Sequence, residues 1–214
     1  MIEVLARYLV TTGMPRYQNY PTDIKYRITA GPMGRSSMRT DSLGWNDLRA
    51  LRKIWPHQLM VKGILHPQDA LMAVDCGADG VIVSNHGGRN LDGIISPIEA
   101  LPEVANAVGK RATVLVDSGF RRGSDVVKAL ALGAHAVQIG RSTLYGVAAG
   151  GEEGARRAIT IFRDEIDRVM ALNGCRSVAE LSTDYLHAPD FQPAAFDSAR
   201  PGLKLLDTAR AVER

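Results

Sequence analysis

Val81-Ile82-Val83-Ser84-Asn85-His86-Gly87-Gly88-Arg89-Asn90-Leu91-Asp92 is the stretch around which this chain is organised. Three consecutive β-branched apolar residues read as a short strand buried on both faces, as in a parallel sheet. Directly behind them come Ser84, Asn85, His86 and, past two glycines, Arg89. Gly87 and Gly88 let the backbone turn back, so that an imidazole and a guanidinium face one small volume. Imidazole exchanges protons near neutral pH, and guanidinium offers a planar fork to a carboxylate. A strand end with both is equipped to hold an organic acid and remove a proton from it. A polar surface loop is the plainer alternative, and the clustering of these side chains argues for the site.

The same unit recurs on either side of this stretch. Strands are expected over 59–62, 80–84, 113–117 and 136–139, each short and apolar. Helices are expected over 67–76 (stopped by Gly77), 96–108 (with Pro97 at its first position), 123–132 (closed by Gly133), 142–149 and 152–172. Ahead of them, Asp41 or Ser42 caps a helix from Trp45 through Ile54 with Leu48, Leu51 and Ile54 facing inward. Strands alternating with helices of this length give a parallel sheet with helices outside.

Lys62, Ser84 with His86, Asp117, and Gly140-Arg141 each follow the apolar part of one strand. In parallel α/β folds those ends share one face, where loops build the site. Asp117-Ser118-Gly119-Phe120-Arg121-Arg122-Gly123 and Gly140-Arg141-Ser142 both run from a strand through glycine into a helix. Amides at such turns, with arginines nearby, suit a phosphate. Tight turns with surface arginines are the alternative. In eight-stranded barrels the phosphate commonly sits after the last two strands, which would make these strands five to eight.

A chain of 214 residues suffices for one sizeable core, and its net charge is only +3. Arginines are dispersed, without a basic block interleaved with aromatics, so nucleic-acid binding is not expected. Cys76 and Cys175 lack metal-ligand spacing and read as reduced thiols of a cytosolic protein; no metal site is expected. No apolar run approaches the ~18–20 residues of a membrane span. The opening residues carry Glu3 and lack the apolar core of a signal peptide. Ile2, Leu5 and Leu9 have helical spacing; from Thr11 to Leu43 the chain is punctuated by Gly13, Pro15, Pro21 and Gly31-Pro32 and reads as irregular. By its residues that stretch is a solvated loop, with contact to an anionic membrane surface as the alternative. Residues 188–214, with Pro189, Pro193 and Pro201, read as an extended arm ending in a weak helix near 203–212.

Val61-Lys62-Gly63-Ile64, the string from Ser84 to Asp92, the turn from Asp117 to Gly123, and Gly140-Arg141 resemble the FMN-dependent α-hydroxy acid oxidases and dehydrogenases. That family includes glycolate oxidase, flavocytochrome-type L-lactate dehydrogenase and mandelate dehydrogenase. The resemblance runs from about Trp45 to Leu186, and more loosely to a variable region around Gly13-Met14-Pro15. It implies an α/β chain forming the C-terminal half of a (β/α)8 TIM barrel, with about four parallel strands and outer helices. Residues 1–44 would be the irregular variable segment, 45–187 the half-barrel and 188–214 the arm.

Carried over residue by residue, the resemblance implies that His86 is the base and that Arg89 clamps the substrate carboxylate. Lys62 would lie at the flavin N1–C2=O edge and Ser84 against the flavin ring. Asp117, Gly119 and Arg121 would serve the ribityl and phosphate region, with Gly140 and Arg141 closing on the phosphate. The implied activity is FMN-dependent oxidation of an L-2-hydroxy acid of lactate, mandelate or glycolate type to the 2-oxo acid. Oxygen, a quinone or a cytochrome would accept the electrons. A homo-oligomer, cytoplasmic, with peripheral contact on the inner face of the membrane, is implied as well. The family's other half supplies a substrate tyrosine, a second arginine and the aspartate that orients the catalytic histidine. The expectation is therefore a truncated member, weak or inactive alone. Two alternatives stand beside it. One is a non-catalytic phosphate- or FMN-binding half-barrel that self-associates or needs a complementing half. The other is a phosphate-binding barrel of the inosine-monophosphate-dehydrogenase type, which would have no use for a carboxylate clamp at His86 and Arg89.

Overall fold

The computed structural model describes residues 43–187, together with Ala6, Val10 and Thr11. Ile2, Leu5 and Leu9 of the helix expected over 2–10, nearly all of 11–43, the caps Asp41 and Ser42, and 188–214 fall outside the described residues. The chain divides into two units, Met1–Gly44 and Trp45–Arg214, and the second carries the sheet.

This unit opens with α1 (Trp45–Ile54), whose Asp47 near the start and Arg52 and Lys53 near the end complement the helix dipole. Trp45 and Leu48 pack against the core, but Leu51 and Ile54 are exposed, by 43% and 79%. The inward stripe expected for Leu48, Leu51 and Ile54 is thus wrong beyond Leu48. Each residue turns a helix by about 100°, so a strict three-residue ladder drifts by about 60° per step. Ile54 lies on the face opposite Trp45.

Four strand–helix units come next. Strand β1 is Met60–Ile64, α2 is Pro67–Asp75, and β2 is Gly80–Val83. Helix α3 is Pro97–Val108, β3 is Thr113–Val116, and α4 is Gly123–Ala131. Strand β4 is Ala136–Val137, and α5 is Arg141–Leu172, broken at Gly150 and Gly151, where the sequence divides it into two helices. Helix starts follow local chemistry. Pro67 follows His66, whose ring accepts from the Gln68 amide at 3.2 Å; Pro97 follows Ser96, whose amide donates to Glu99 at 3.3 Å.

All four strands are parallel and lie in chain order, β1-β2-β3-β4. All four strands differ from expectation at an end: β2 stops at Val83 rather than 84, β3 at Val116 rather than 117, and β1 begins at Met60 rather than 59. β1 runs past Lys62 to Ile64 through a register shift at Gly63, whose φ is 101°. β4 stops at Val137 rather than 139, because its partner β3 leaves the sheet after Val116. Val81 and Val83 of β2, Val114 and Val116 of β3, and Leu101, Val104 and Val108 of α3 are almost completely buried in one cluster. Each such side chain contributes roughly 1.5–3 kcal/mol. The core therefore lies between the sheet and its helices, which leaves the strand ends to the loops.

Candidate functional site

The loops after β2, β3 and β4 surround a cavity of about 530 Å³, within the range of roughly 300–1,000 Å³ common for small-molecule sites. His86, Asp117, Gly119, Arg121, Gly140 and Arg141 all line it. A second cavity of about 460 Å³ shares Gly87, Ser118, Gly119, Phe120 and Arg141 and extends to Asn85 and Pro97.

Lys62 projects from β1 towards the ends of β2 and β3. Its Nζ donates to Ser84 Oγ at 2.6 Å and forms an ion pair with Asp117. Ser84 is the buried polar side chain among the described residues, at 1% exposure. Burial alone would push the Asp117 carboxyl up. Hydrogen bonds from Lys62, Ser84 and Ser118, with the charge of Lys62, outweigh it and hold the carboxyl below its ordinary range. A cation and an ionised carboxylate are thereby fixed side by side at the strand ends.

His86 begins a short 3₁₀ turn, His86–Gly88. Its own φ is 57°, and those of Gly87 and Gly88 are 71° and 73°. Ser84 Oγ accepts from the His86 amide at 3.1 Å, and Asn85 Oδ1 accepts from Gly87 and Gly88 at 3.0 and 3.2 Å. The imidazole lies over β1: a Cβ on Gly63 would come within 3.1 Å of His86 Cε1. A side chain at 63 would press on the ring and would be strained by the φ of 101°. Among the described residues the imidazole makes no hydrogen bond or ion pair. Arg89 comes after the turn, is exposed, and lines neither cavity.

At the far end, Arg121 lies over the Tyr145 ring, its Cζ 5.2 Å from the centroid. Its neighbour Arg122 pairs instead with Glu165 at 2.7 Å. That partition decides which of the two arginines serves the cavity. The amides of both donate to Asp125 Oδ2 at 2.9 Å. Arg141, first residue of α5, donates through Nη2 to the Gly87 carbonyl at 3.1 Å. Side-chain space at Gly119 and Gly140 is empty, so a ligand can reach the backbone amides and the positive end of α5.

Lys62, Ser84, His86, Asp117, Gly119, Arg121, Gly140 and Arg141 thus gather on one face; Arg89, expected to share one small volume with His86, is exposed and is not brought to the cavity, because the turn through Gly87 and Gly88 carries the chain past it. Sequence reasoning assigns no role of their own to Asn85, Ser118 and Gly63. An Asn ahead of two glycines is a recognisable turn signal; nothing local marks the other two. The assembly can hold a phosphate at one end, place a cation beside a polar ring, and present an imidazole. Among the described residues no cluster of His, Cys, Asp and Glu is placed to hold a metal.

A family model described as FMN-dependent dehydrogenase matches residues 13–188. The chain is 49% identical over 177 residues to (S)-mandelate dehydrogenase of Pseudomonas putida, covering 83% of this chain and 44% of that protein. It is 48% identical over 146 residues to an L-lactate oxidase of Nostoc sp., covering 68% and 40%. The solved structure of a monotopic membrane protein, (S)-mandelate dehydrogenase, superposes with a TM-score of 0.79 at 46% identity, over 86% of this chain and 49% of that one. The chain spans less than half the length of the curated relatives it matches, and its four parallel strands with outer helices are part of a (β/α)8 barrel. With a family model covering most of its length and relatives near half identity, this chain belongs to the FMN-dependent dehydrogenase family.

Proposed function

We propose that this chain binds FMN and carries the proton-abstracting base for oxidation of an L-2-hydroxy acid, of lactate, mandelate or glycolate type, to the 2-oxo acid. One observation carries the reading. A cation (Lys62), an imidazole (His86) and two arginines beside open glycine turns (Arg121, Arg141) converge on the strand-end face.

These residues fit FMN. Gly119, Gly140, Arg121 and Arg141 suit its phosphate, and the empty space at both glycines lets the phosphate meet backbone amides. Asp117 suits the hydroxyls of the ribityl chain. Lys62, braced by Ser84, suits the ring edge that becomes negative on reduction. FMN, when bound, supplies the acceptor for two electrons. His86 takes one proton from the 2-hydroxy acid on an imidazole nitrogen, and the Ser84 and Asn85 hydrogen bonds fix the turn that aims it. Arg89 holds the substrate carboxylate by its fork. The names of the relatives, mandelate dehydrogenase and lactate oxidase, support an acid of this class. Oxygen, a quinone or a cytochrome receives the electrons. Likeness to a monotopic membrane protein supports peripheral contact with a membrane; we place that contact at the inner face through residues 1–44, in a cytoplasmic homo-oligomer, and among the described residues no helix is long and apolar enough to cross a membrane.

The test is to purify the chain, add FMN, and follow dye reduction with L-lactate, (S)-mandelate and glycolate in turn. Bound flavin and turnover with one acid support the reading; no retained flavin overturns it. A second reading, a flavin-binding half-barrel inactive alone, is favoured by a particular feature. Among the described residues β1 and β4 end the sheet, and no carboxylate meets the His86 ring. Flavin binding without turnover, with self-association in the ultracentrifuge or activity gained on adding a complementary half, would select it.

A further inference from the structure

Two residues other than glycine have positive φ among those described, and both line the site: His86 at 57° and Ser118 at 74°. Side chains at such angles persist where their surroundings hold them. Here the two are joined. The Gly87 amide, directly after His86, donates to Ser118 Oγ at 3.0 Å. The same hydroxyl donates to Asp117 Oδ1 at 2.8 Å, and a carboxylate acceptor makes the hydroxyl oxygen a better acceptor in turn. Asp117 pairs with Lys62, Lys62 donates to Ser84, and Ser84 accepts from the His86 amide. The bonds form a closed ring from β1 through β3 that grips the backbone on both sides of His86.

We propose that Ser118 is a positioning residue for His86: its hydroxyl holds the His86–Gly87 peptide and passes the Lys62–Asp117 arrangement on to the turn. This deepens the proposed function, because it rests on His86 being the base. A glycine at 118 would adopt the same φ without strain. A serine there is explained by what its hydroxyl binds.

The test is solution NMR of the ¹⁵N-labelled full chain, parent and Ser118→Ala, without any need for turnover. Loss of the hydroxyl should speed amide exchange at Gly87 severalfold, while Gly88, bonded to Asn85 alone, and Val81–Val83 in β2 keep their protection. The Gly63 Hα signals, which feel the imidazole ring lying over them, should shift although Ser118 does not touch Gly63. Ser118→Gly, which removes the hydroxyl and the backbone strain together, should show the same two changes in a chain at least as stable. It supplies the result if the alanine variant fails to fold. Unchanged Gly87 exchange and unchanged Gly63 signals in the folded variants would overturn the proposal. Protection lost evenly across β2 and β3 would overturn it too, since Ser118 would then be only a fold contact. Both changes seen in a chain that retains flavin yet oxidises no acid even when a complementary half is added would leave Ser118 in place and remove the base role of His86 instead.

Discussion

The Arg141 guanidinium donates to the Gly87 carbonyl at 3.1 Å across 54 residues of sequence. It packs so closely on that residue that a Cβ at 87 would collide with it. The side chain at the start of α5 therefore ties the phosphate end of the cavity to the turn that carries His86. Arg141→Ala should weaken FMN binding by about 1–3 kcal/mol, the scale of a charge-assisted contact. Flavin fluorescence titration measures it, and an unchanged Kd would remove Arg141 from the phosphate site.

Asp117 is held below its ordinary carboxyl range in the folded chain despite the opposing effect of burial. The unfolded chain then takes up the proton first as pH falls. The stability this carboxylate contributes is present above the ordinary carboxyl range, near about 4, and is lost as pH drops through the folded value beneath it. Asp117→Asn should lower the urea midpoint at neutral pH, and the gap to the parent should narrow below about pH 4. A gap that stays constant with pH would show that the carboxyl is not held down.

Chemistry should separate His86 from Arg89. His86→Ala should slow reduction of bound flavin by ~10²–10⁴-fold, the usual contribution of a general base. Arg89→Lys should chiefly raise KM, because a point charge cannot replace the fork. Stopped-flow reduction over a range of acid concentrations distinguishes the two effects. Equal losses in kcat alone would contradict the assigned roles.

Gly123 is buried where α4 meets α5, and its amide donates to Glu165 Oε2 at 2.7 Å. A Cβ there would lie 2.5 Å from Glu165 Cβ and from the Ile166 amide nitrogen. Gly123→Ala should cost about 1–3 kcal/mol by overpacking, read as a lower urea midpoint at constant slope. An unchanged midpoint would mean that α5 shifts freely away from α4.

Much of this molecule is legible in its local sequence. Apolar runs such as Val81-Ile82-Val83 and Val114-Leu115-Val116 locate strands, while Pro67, Pro97 and Gly77 punctuate helices, because these preferences act within a few residues. The string Ser84-Asn85-His86-Gly87-Gly88-Arg89 is contiguous, so its chemistry is readable without the fold. Parallel order comes from alternation, and with it the common face of the strand ends. Leu51 and Ile54 mislead because an apolar residue every third position names a pattern, not a partner that covers it.

Sequence by itself therefore determined the elements, their order, and the side chains offered at each strand end. The tertiary structure decided which of those side chains meet. Lys62 and Asp117 are 55 residues apart and form an ion pair; Arg122 is spent on Glu165 while Arg121 serves the cavity; His86 rests on Gly63, and Ser118 takes a glycine-like conformation to reach Gly87. The physical reason is range. Secondary structure arises from backbone sterics and hydrogen bonds among near neighbours, whereas these pairings exist only because parallel strands bring distant loops within hydrogen-bond distance at one end of the sheet.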